Sequence, residues 1–346
     1  MMSFLLGLAE KGVLPTPLLR MGTRQLLRQR LQSLESGTEE ERRERRWNFI
    51  SSISQAPVAL EVRKANEQHY ELPPEFFKQV LGRRLKYSSA YFPEGVKSLD
   101  SAEDSMLELV CERAQFFDGM KLLDLGCGWG SLSLYVAQKY PKASVVGVSN
   151  SKPQREFILE KASAMGIKNL QIITMDMNLF SIDQKFDRIA SIEMFEHMRN
   201  FKQLLAKVSN WLVPQGKLFI HVFCHREYPY LFESEGTANW MGKYFFTAGM
   251  MPFDEIFSYF QDSLRLERNW VVNGNHYAKT SRAWLERLDA NRSTVMPILE
   301  NTYGKSAAPL WFERWRLFFI ACEETFGFRD GKEWWVSHSL LSRAPV

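Results

Sequence analysis

The segment Leu122–Gly130, LLDLGCGWG, ends an apolar run and opens a stretch with helical spacing. Its three glycines, Gly126, Gly128 and Gly130, alternate with other residues, so the backbone can turn sharply and come close to a ligand. A dinucleotide-binding turn has the spacing G-x-G-x-x-G, whereas this one is G-x-G-x-G with Asp124 two positions before the first glycine. The pattern predicts a strand–turn–helix for a cofactor that lacks a pyrophosphate and carries an amino-acid tail.

Short runs rich in β-branched residues alternate with helical patterns around this segment. The predicted strands are Lys121–Asp124, Ser144–Ser149, Leu170–Met175, Phe186–Ile192 and Lys217–Val222, with a further strand over Glu333–Leu341. Strict alternation of strand and helix predicts the α/β class with a parallel, doubly wound sheet. Such sheets bind ligands at the carboxyl ends of their strands.

Polar residues follow the first three predicted strands, where the cofactor is expected. Asp124 is placed to orient an ammonium group, while N–H groups of the loop face the carboxylate. Asn150 follows the second strand, where a ribose-binding group is expected, and Gln154 lies one turn further on. Asp176 follows the third strand, where it can accept a hydrogen bond from the adenine amine beside apolar Met177.

Three regions of the chain differ in character. Residues 1–115 are mostly helical, and within them Asn66–Phe92 is expected to form a loop-rich lid. Residues 116–222 carry the alternating strands and helices of the cofactor-binding core. Residues 223–346 are rich in aromatic side chains and are expected to cover the substrate and to supply the final strands of the sheet.

The composition excludes several classes of protein. The net charge is only +4, and no basic stretch is interleaved with aromatic residues, so nucleic acid is not an expected partner. The four cysteines are scattered without a C-x-x-C pair, which argues against a metal site and for a reducing compartment. No apolar run approaches the ~18 residues of a membrane span. We expect a cytoplasmic protein with no stable membrane insertion.

The motifs DLGCGWGSL, VVGVSNS and FDRIASIEMFEH, with the segment Asn239–Phe246, resemble plant coclaurine N-methyltransferase-type enzymes. These belong to the cyclopropane-fatty-acid-synthase-like class I methyltransferases. The resemblance covers the chain from about Asn66 onward and is loose over the first 60 residues. It implies a Rossmann-like, mostly parallel seven-stranded sheet with a helical N-terminal lid and an aromatic-rich C-terminal cover. It also implies S-adenosylmethionine as methyl donor, with Tyr87 and Ser88 closing over it, and small alkaloid or phenylalkylamine acceptors. The resemblance is also compatible with a homodimer.

The lipid-modifying branch of this group is the alternative, as a lipid C-methyltransferase or cyclopropane synthase. The chain resembles it through YSSAYF (Tyr87–Phe92) and MFEH (Met194–His197). Those enzymes hold a bicarbonate ion, using among others a Cys in a YSCAYW-like segment and a His after a later Trp; this chain has Ser89 and Val271 there. Glu193 stands where that branch commonly has glycine. Two lost anion ligands and an added negative charge favour an amine substrate.

Methyl transfer is an in-line displacement that needs an aligned acceptor with a free lone pair. An aliphatic amine is mostly protonated at neutral pH, so a group of the enzyme has to take its proton. A helix that begins near Glu193 would place Glu193 and Glu196 on one face. We expect Glu196 and His197 to accept or relay the proton, and Glu193 to attract the ammonium form. The alternative is structural, with His197 packed against backbone and Glu196 as a helix cap.

The aromatic residues of the last region supply candidates for the acceptor pocket, with simple core packing as the alternative for each: Trp240, Tyr244, Phe245, Trp315 and Phe319. Cys322 is expected to pack in the core, because direct displacement forms no covalent enzyme intermediate. A non-catalytic cofactor-binding protein is a third hypothesis. The intact glycine loop and the intact EMFEH cluster argue against it.

Overall fold

A seven-stranded sheet organises the molecule, which is described by a computed structural model for residues 2–60, 72–234, 236 and 239–344. The sheet strands are β1 (Lys121–Leu125), β2 (Ser144–Ser149), β3 (Leu170–Thr174), β4 (Phe186–Ile192), β5 (Leu212–His225), β8 (Leu264–Val272) and β9 (Trp334–Arg343). Two short strands, β6 (Tyr230–Leu231) and β7 (Met250–Met251), form a separate ribbon. The order in the sheet is β3-β2-β1-β4-β5-β9-β8.

The first five strands are parallel, and β9 runs antiparallel to both β5 and β8. This arrangement confirms the predicted α/β fold with a mostly parallel seven-stranded sheet. The six predicted strands are all present, although β5 is longer than expected at both ends. Strand β8 was not predicted. It is an edge strand whose sequence, LRLERNWVV, contains three charged residues, as edges exposed to solvent commonly do.

Helices cover the sheet and extend beyond it. They are α1 (Met2–Glu10), α2 (Thr16–Glu35), α3 (Glu39–Gln55), α4 (Pro74–Val80), α5 (Leu99–Arg113), α6 (Ser131–Lys139), α7 (Lys152–Ala164), α8 (Phe201–Trp211), α9 (Trp240–Tyr244), α10 (Gly274–Ala290), α11 (Arg292–Tyr303) and α12 (Ala308–Phe326). None of the described helices is both long and apolar enough to span a membrane. The first part of the expected lid, residues 66–71, lies outside the described residues.

The N-terminal helix α2 is fixed against the C-terminal helix α12 by buried carboxylates. Arg20 Nη1 lies 2.7 Å from Glu323 Oε1 and 2.9 Å from Glu324 Oε1, and Arg24 also pairs with Glu324. The two glutamate side chains are only 4% and 7% exposed, so their charges require these partners. The pairing holds α2 over the carboxyl edge of the sheet, where the acceptor cavity described below opens.

The chain after β4 departs from the sequence prediction. Glu193 has a φ of +47°, a left-handed conformation that costs a non-glycine residue about 1–2 kcal/mol. A single 3₁₀ turn then covers Phe195–His197, and the next α-helix begins only at Phe201, after the Asn200 cap. The expectation of a helix starting near Glu193 is therefore wrong. Glu193 and Glu196 do not share a helix face, and each has its own surroundings.

Candidate active site

The glycine loop turns through three left-handed residues between β1 and α6. Gly126, Gly128 and Gly130 have φ values of +80°, +53° and +78°. A Cβ added to Gly126 would lie 2.7 Å from Cγ of Met194, so this glycine is required by packing. A Cβ added to Gly128 would meet nothing within 4 Å. Gly128 is therefore the position at which the loop backbone is open to a ligand.

A cavity of about 70 Å³ lies against this loop, and six of the nine expected cofactor residues line it: Tyr87, Ser88, Asp124, Gly126, Gly128 and Gln154. The buried polar atoms of lining residues that have no hydrogen-bond partner among the described residues include Asp124 Oδ1, Gln154 Nε2 and Ser131 Oγ. The other oxygen of Asp124 accepts from Ser133 Oγ at 2.6 Å, and burial raises the pKa of this carboxyl to about 6. Buried polar atoms without partners are costly, so these three point to a polar ligand.

These groups fit the amino-acid end of S-adenosylmethionine. Asp124 Oδ1 can accept a hydrogen bond from the ammonium group of the cofactor, and that cation would offset the buried charge of the Asp124 carboxylate. Gln154 Nε2 and Ser131 Oγ can donate hydrogen bonds to the carboxylate of the cofactor. Ser131 is the first residue of α6, and carboxylates are stabilised at helix N-termini.

The other three expected cofactor residues do not line this cavity. Asn150 is exposed just after β2, and Met177 is buried in the hydrophobic core beneath the sheet. Asp176 follows β3, and its Oδ1 accepts from the N–H of Asn178 at 2.8 Å, which closes a local turn. Asn150 and Asp176 lie at the same sheet edge as the cavity, because β2 and β3 are parallel to β1. Their contact with ribose and adenine stays a prediction.

Lys86 is a residue of this site that the sequence reasoning missed. Its side chain is buried beside the cofactor cavity, and Nζ donates to Ser88 Oγ at 2.5 Å and to the carbonyl oxygen of Ser89 at 2.6 Å. Burial lowers its pKa to about 8, and the charges of Glu193 and Glu103 oppose that shift. A single lysine between apolar residues carries no sequence signal that distinguishes it from a surface lysine.

A second cavity of about 420 Å³ adjoins the first, and nine of its lining residues are Phe, Trp or Tyr. It is lined by residues of α2, of the loop after β4, of α10 and of α12. Its lining includes Leu27, Arg30, Tyr87, Glu193, Glu196, His197, Phe223, Tyr230, Met241, Phe246, Tyr277, Trp284, Phe318, Cys322 and Phe326. Tyr87 and Glu193 line both cavities. The two cavities therefore meet at these side chains.

None of the five aromatic candidates for the acceptor pocket lines this cavity, and the alternative of core packing describes them instead. Phe245, Trp315 and Phe319 are buried in the main hydrophobic core. Trp240 Nε1 donates to Glu10 Oε1 at 2.9 Å, and the guanidinium of Arg314 lies over the Tyr244 ring. These residues pack between helices.

The lining residues of α12 recur with helical spacing: Phe318, Ala321, Cys322, Thr325 and Phe326. Trp315 and Phe319 lie on the adjoining stripe of the same helix, which faces the core. Composition predicted an aromatic wall, but only the rotation of the helix decides which aromatic residues form it. Cys322 packs against the core as expected, and it also faces the cavity. Burial raises the pKa of its thiol, so the sulfur is not an activated nucleophile.

Glu193 receives three hydrogen bonds. The Ser89 N–H donates to Oε1 at 2.9 Å, His221 Nε2 lies 3.1 Å from the same oxygen, and the Tyr277 hydroxyl donates to Oε2 at 2.6 Å. The side chain is 8% exposed. Burial raises the pKa of this carboxyl above its ordinary value, although the charge of Lys86 and the donors Tyr277 and Ser89 partly offset that shift. The donors hold the carboxylate at the boundary of the two cavities and help to offset the left-handed backbone.

Glu196 and His197 have different settings from those expected. Glu196 is fully buried, and neither carboxyl oxygen has a hydrogen-bond partner among the described residues. Burial and the neighbouring Glu193 raise the pKa of Glu196 well above its ordinary value, so it is a neutral acid rather than a ready base. The His197 ring stacks on Phe246 with 5.1 Å between centroids, and burial lowers its pKa to about 4. His197 is therefore an uncharged imidazole at neutral pH.

The two positions compared with the bicarbonate ligands fall in different places. Ser89 is buried and contacts Glu193 through its backbone N–H. Val271 lies on the edge strand β8, is 50% exposed and lines neither cavity, so the inference drawn from that residue is wrong. The acidic group among these donors is the side chain of Glu193 itself. The added negative charge noted in the sequence thus stands where three donors converge.

The sheet order, the glycine loop and a second cavity that meets the cofactor cavity at Glu193 define a class I S-adenosylmethionine-dependent methyltransferase. The family model described as mycolic acid cyclopropane synthetase matches residues 60–333. The chain belongs to this family, and it is an S-adenosylmethionine-dependent N-methyltransferase within it.

Similar proteins include plant enzymes that act on alkaloids. The chain is 38% identical to (S)-coclaurine N-methyltransferase of Thalictrum flavum subsp. glaucum over 98% of its length and 95% of that protein. It is 37% identical to pavine N-methyltransferase of the same plant, over 85% of this chain and 84% of that one. A solved coclaurine N-methyltransferase bound to N-methylheliamine and SAH matches with a TM-score of 0.94, 38% identity and 98% coverage of both chains. The similarity thus includes the N-terminal helices, where the resemblance of the motifs alone is loose.

Proposed function

We propose that this enzyme transfers the methyl group of S-adenosylmethionine to the amine nitrogen of a small aromatic amine, a benzylisoquinoline alkaloid or a phenylalkylamine. One observation carries the proposal. Glu193 holds a carboxylate at the place where the cofactor cavity and the aromatic acceptor cavity meet. An anionic group at that boundary attracts an ammonium ion to the position from which its nitrogen can reach the donor. The alkaloid N-methyltransferases named above supply the substrate class.

The acceptor cavity has the chemistry that an aromatic amine requires. Its wall combines the rings of Phe246, Phe318 and Trp284 with the hydroxyl groups of Tyr87 and Tyr277. Aromatic faces bind both an apolar ring system and a cation, and a desolvated cation–π contact contributes about 2 kcal/mol. A volume of about 420 Å³ is in the usual range for a small-molecule site.

The reaction requires that the ammonium lose a proton before the nitrogen can attack. When bound, S-adenosylmethionine supplies an electrophilic methyl group on a sulfonium that leaves as a neutral thioether. Glu193 attracts the ammonium and accepts its proton, which leaves the nitrogen lone pair free. His197, on the same cavity wall, is uncharged at neutral pH, and its lowered pKa makes it a weaker base than an ordinary histidine. The hydrogen bonds on Glu193 hold its oxygens in place while this happens.

This division of roles revises the one drawn from sequence. Glu196 and His197 were expected to form the base pair, with Glu193 only attracting the substrate. Burial and the neighbouring Glu193 raise the pKa of Glu196 and favour its protonated form, which is a poor proton acceptor, so we assign Glu196 to shaping the cavity floor. Three further expectations remain predictions. They are the division into a lid (residues 1–115), a core (116–222) and a cover (223–346), a cytosolic location, and a homodimer.

The test uses purified protein, labelled S-adenosylmethionine and a panel of benzylisoquinolines and phenylalkylamines. We expect methylated amine products, a rate that rises from mildly acidic to alkaline pH, and no effect of added bicarbonate. Glu193→Gln keeps the size of the side chain and should lower kcat by about 10²–10⁴-fold, the usual contribution of acid–base catalysis. Its affinity for S-adenosylmethionine, measured by calorimetry, should stay unchanged. Methylation of an unsaturated lipid, or a pH-independent rate with amines, would overturn the proposal.

A further inference from the structure

Four side chains, Arg113, His338, His221 and Glu193, form a continuous row of hydrogen bonds that leads from α5 to the active site, and we call this row the file. Arg113 Nη1 lies 2.9 Å from His338 Nδ1, His338 Nε2 lies 2.9 Å from His221 Nδ1, and His221 Nε2 lies 3.1 Å from Glu193 Oε1. His221 on β5 and His338 on β9 are direct cross-strand partners, and both are fully buried. Arg113 is the last residue of α5 and is half-buried. The file therefore crosses the sheet from strand to strand.

Arg113, the first residue of the file, sets the direction of every hydrogen bond in it. A guanidinium group carries only donors, so His338 Nδ1 has to accept from Arg113. A neutral imidazole then has its proton on Nε2, and His338 donates that proton to His221 Nδ1. By the same reasoning His221 carries its proton on Nε2 and donates it to Glu193. The whole file donates toward the carboxylate.

Neither histidine can be an imidazolium in this arrangement. A doubly protonated His338 would point an N–H at Arg113, and a doubly protonated His221 would point one at the N–H of His338. Burial also lowers the pKa of both imidazoles well below the ordinary value. The file is consequently not a route for proton exit. It is a fixed set of donors that ends on one oxygen of Glu193.

We propose that Arg113 is a remote positioning residue which, through His338 and His221, keeps a donor on Glu193 and so favours the carboxylate form of that residue. The inference rests on the proposed function, in which this carboxylate receives the proton of the amine. It also accounts for the contrast with Glu196, whose carboxyl group has no such side-chain donor in the described part of the chain. Arg113 is held by a second contact, with its guanidinium 5.2 Å from the centre of the Trp270 ring.

Several other groups influence Glu193. The titratable residues around it are Lys86 and Tyr87 in the wall of the cofactor cavity, Glu196 and His197 on the 3₁₀ turn, His221 on β5, Tyr277 on α10 and Cys322 on α12. Tyr91 and Glu112 act on Arg113 itself. The file reaches Glu193 from outside the two cavities, and Arg113 lines neither of them, so Arg113 can be altered without touching either ligand.

The test compares Arg113→Met, which removes the donor, with Arg113→Lys, which keeps one. In the Met variant the acidic limb of kcat/KM against pH should move to higher pH. Activity should be about 3- to 10-fold lower at the acidic end, as expected when one ordinary hydrogen bond is lost, and should converge with the unaltered enzyme at alkaline pH. The Lys variant should restore the profile. An equal loss at all pH values, or no change, would overturn the inference.

A second measurement does not depend on activity. NMR of the protein with ¹⁵N-labelled histidine reports the tautomer of each ring, and His338→Gln, which keeps an acceptor and a donor, helps to assign the signals. We expect both rings as Nε2–H tautomers that do not titrate between pH 6 and 9. A protonated Nδ1 in either ring would overturn the inference, whatever the substrate. The expected tautomers together with inactivity toward all amines would count against the proposed function alone.

Discussion

The carboxyl groups of Glu193 and Glu196 are three residues apart in the sequence and differ in their hydrogen bonding. Glu193 accepts from Ser89, Tyr277 and His221, whereas Glu196 has no hydrogen-bond partner among the described residues. The difference arises because the left-handed Glu193 turns its side chain toward β5 and α10, while the following 3₁₀ turn buries Glu196. One carboxyl group is thereby suited to carry charge and the other to remain neutral.

The neutral state of Glu196 predicts a pH-dependent effect on stability. Its pKa is about 4.5 when unfolded and well above that when folded. As pH rises above 4.5, the unfolded chain loses this proton while the folded protein keeps it, so folding loses up to about 1.4 kcal/mol per pH unit until the folded pKa is reached. Glu196→Gln cannot ionise, and urea unfolding should show it gaining stability over the unaltered protein between pH 5 and 8. The exposed Glu44→Gln should show no such trend. A constant difference at all pH values would contradict the assignment.

Gly128 predicts a selective loss of cofactor affinity. Gly128→Ala adds a Cβ that meets no protein atom, so a collision can come only from the bound cofactor. Gly166→Ala is a matched control, since Gly166 also has a positive φ, at +69°, and open space before it. We expect calorimetry to show S-adenosylmethionine affinity reduced by about 10-fold or more at Gly128 and unchanged at Gly166, with similar backbone strain of about 1–2 kcal/mol in both. Equal affinities would mean that the cofactor does not approach this loop.

The wall of the acceptor cavity predicts a change in substrate affinity. Ala321 lies on the cavity-facing stripe of α12, and Ala321→Phe would fill part of the space that the amine occupies. We expect KM for the amine to rise by about 10-fold or more, with unchanged affinity for S-adenosylmethionine, because a displaced aromatic contact contributes about 1 kcal/mol or more. Leu317→Phe, on the same helix but outside the cavity, is the control. An unchanged KM in Ala321→Phe would place the acceptor elsewhere.

The position of Cys322 predicts that its sulfur is dispensable for the chemistry. The thiol faces the cavity, and burial keeps it protonated, while direct displacement needs no covalent intermediate. Cys322→Ala should therefore keep kcat within a few-fold, with any change appearing in KM as lost packing. Steady-state kinetics decide between these outcomes. A drop of 10²-fold or more in kcat with normal folding would show that the sulfur takes part in the reaction.

Most of the strands, the parallel character of the sheet and the cofactor loop were predictable because they depend on local signals. β1, β2 and β4 are short runs of apolar, partly β-branched residues, and the alternation of such strands with helices leaves few topologies for a parallel sheet. Strand β8 was missed because an edge strand needs no apolar pattern. The helix expected at Glu193 was wrong because the donors around its carboxylate stabilise a backbone conformation that local propensity disfavours.

The sequence by itself determined the fold, the cofactor loop and the class of reaction, since glycine spacing and strand–helix alternation act over a few residues. Tertiary structure alone decided which carboxyl group carries charge and which aromatic residues line the cavity. Burial and hydrogen-bond donors set both, and they come from distant parts of the chain. Tyr277 lies 84 positions from Glu193, and Arg113 lies 225 positions from His338. No local pattern encodes contacts of that range, because they exist only once β5, β9 and the helices have packed together.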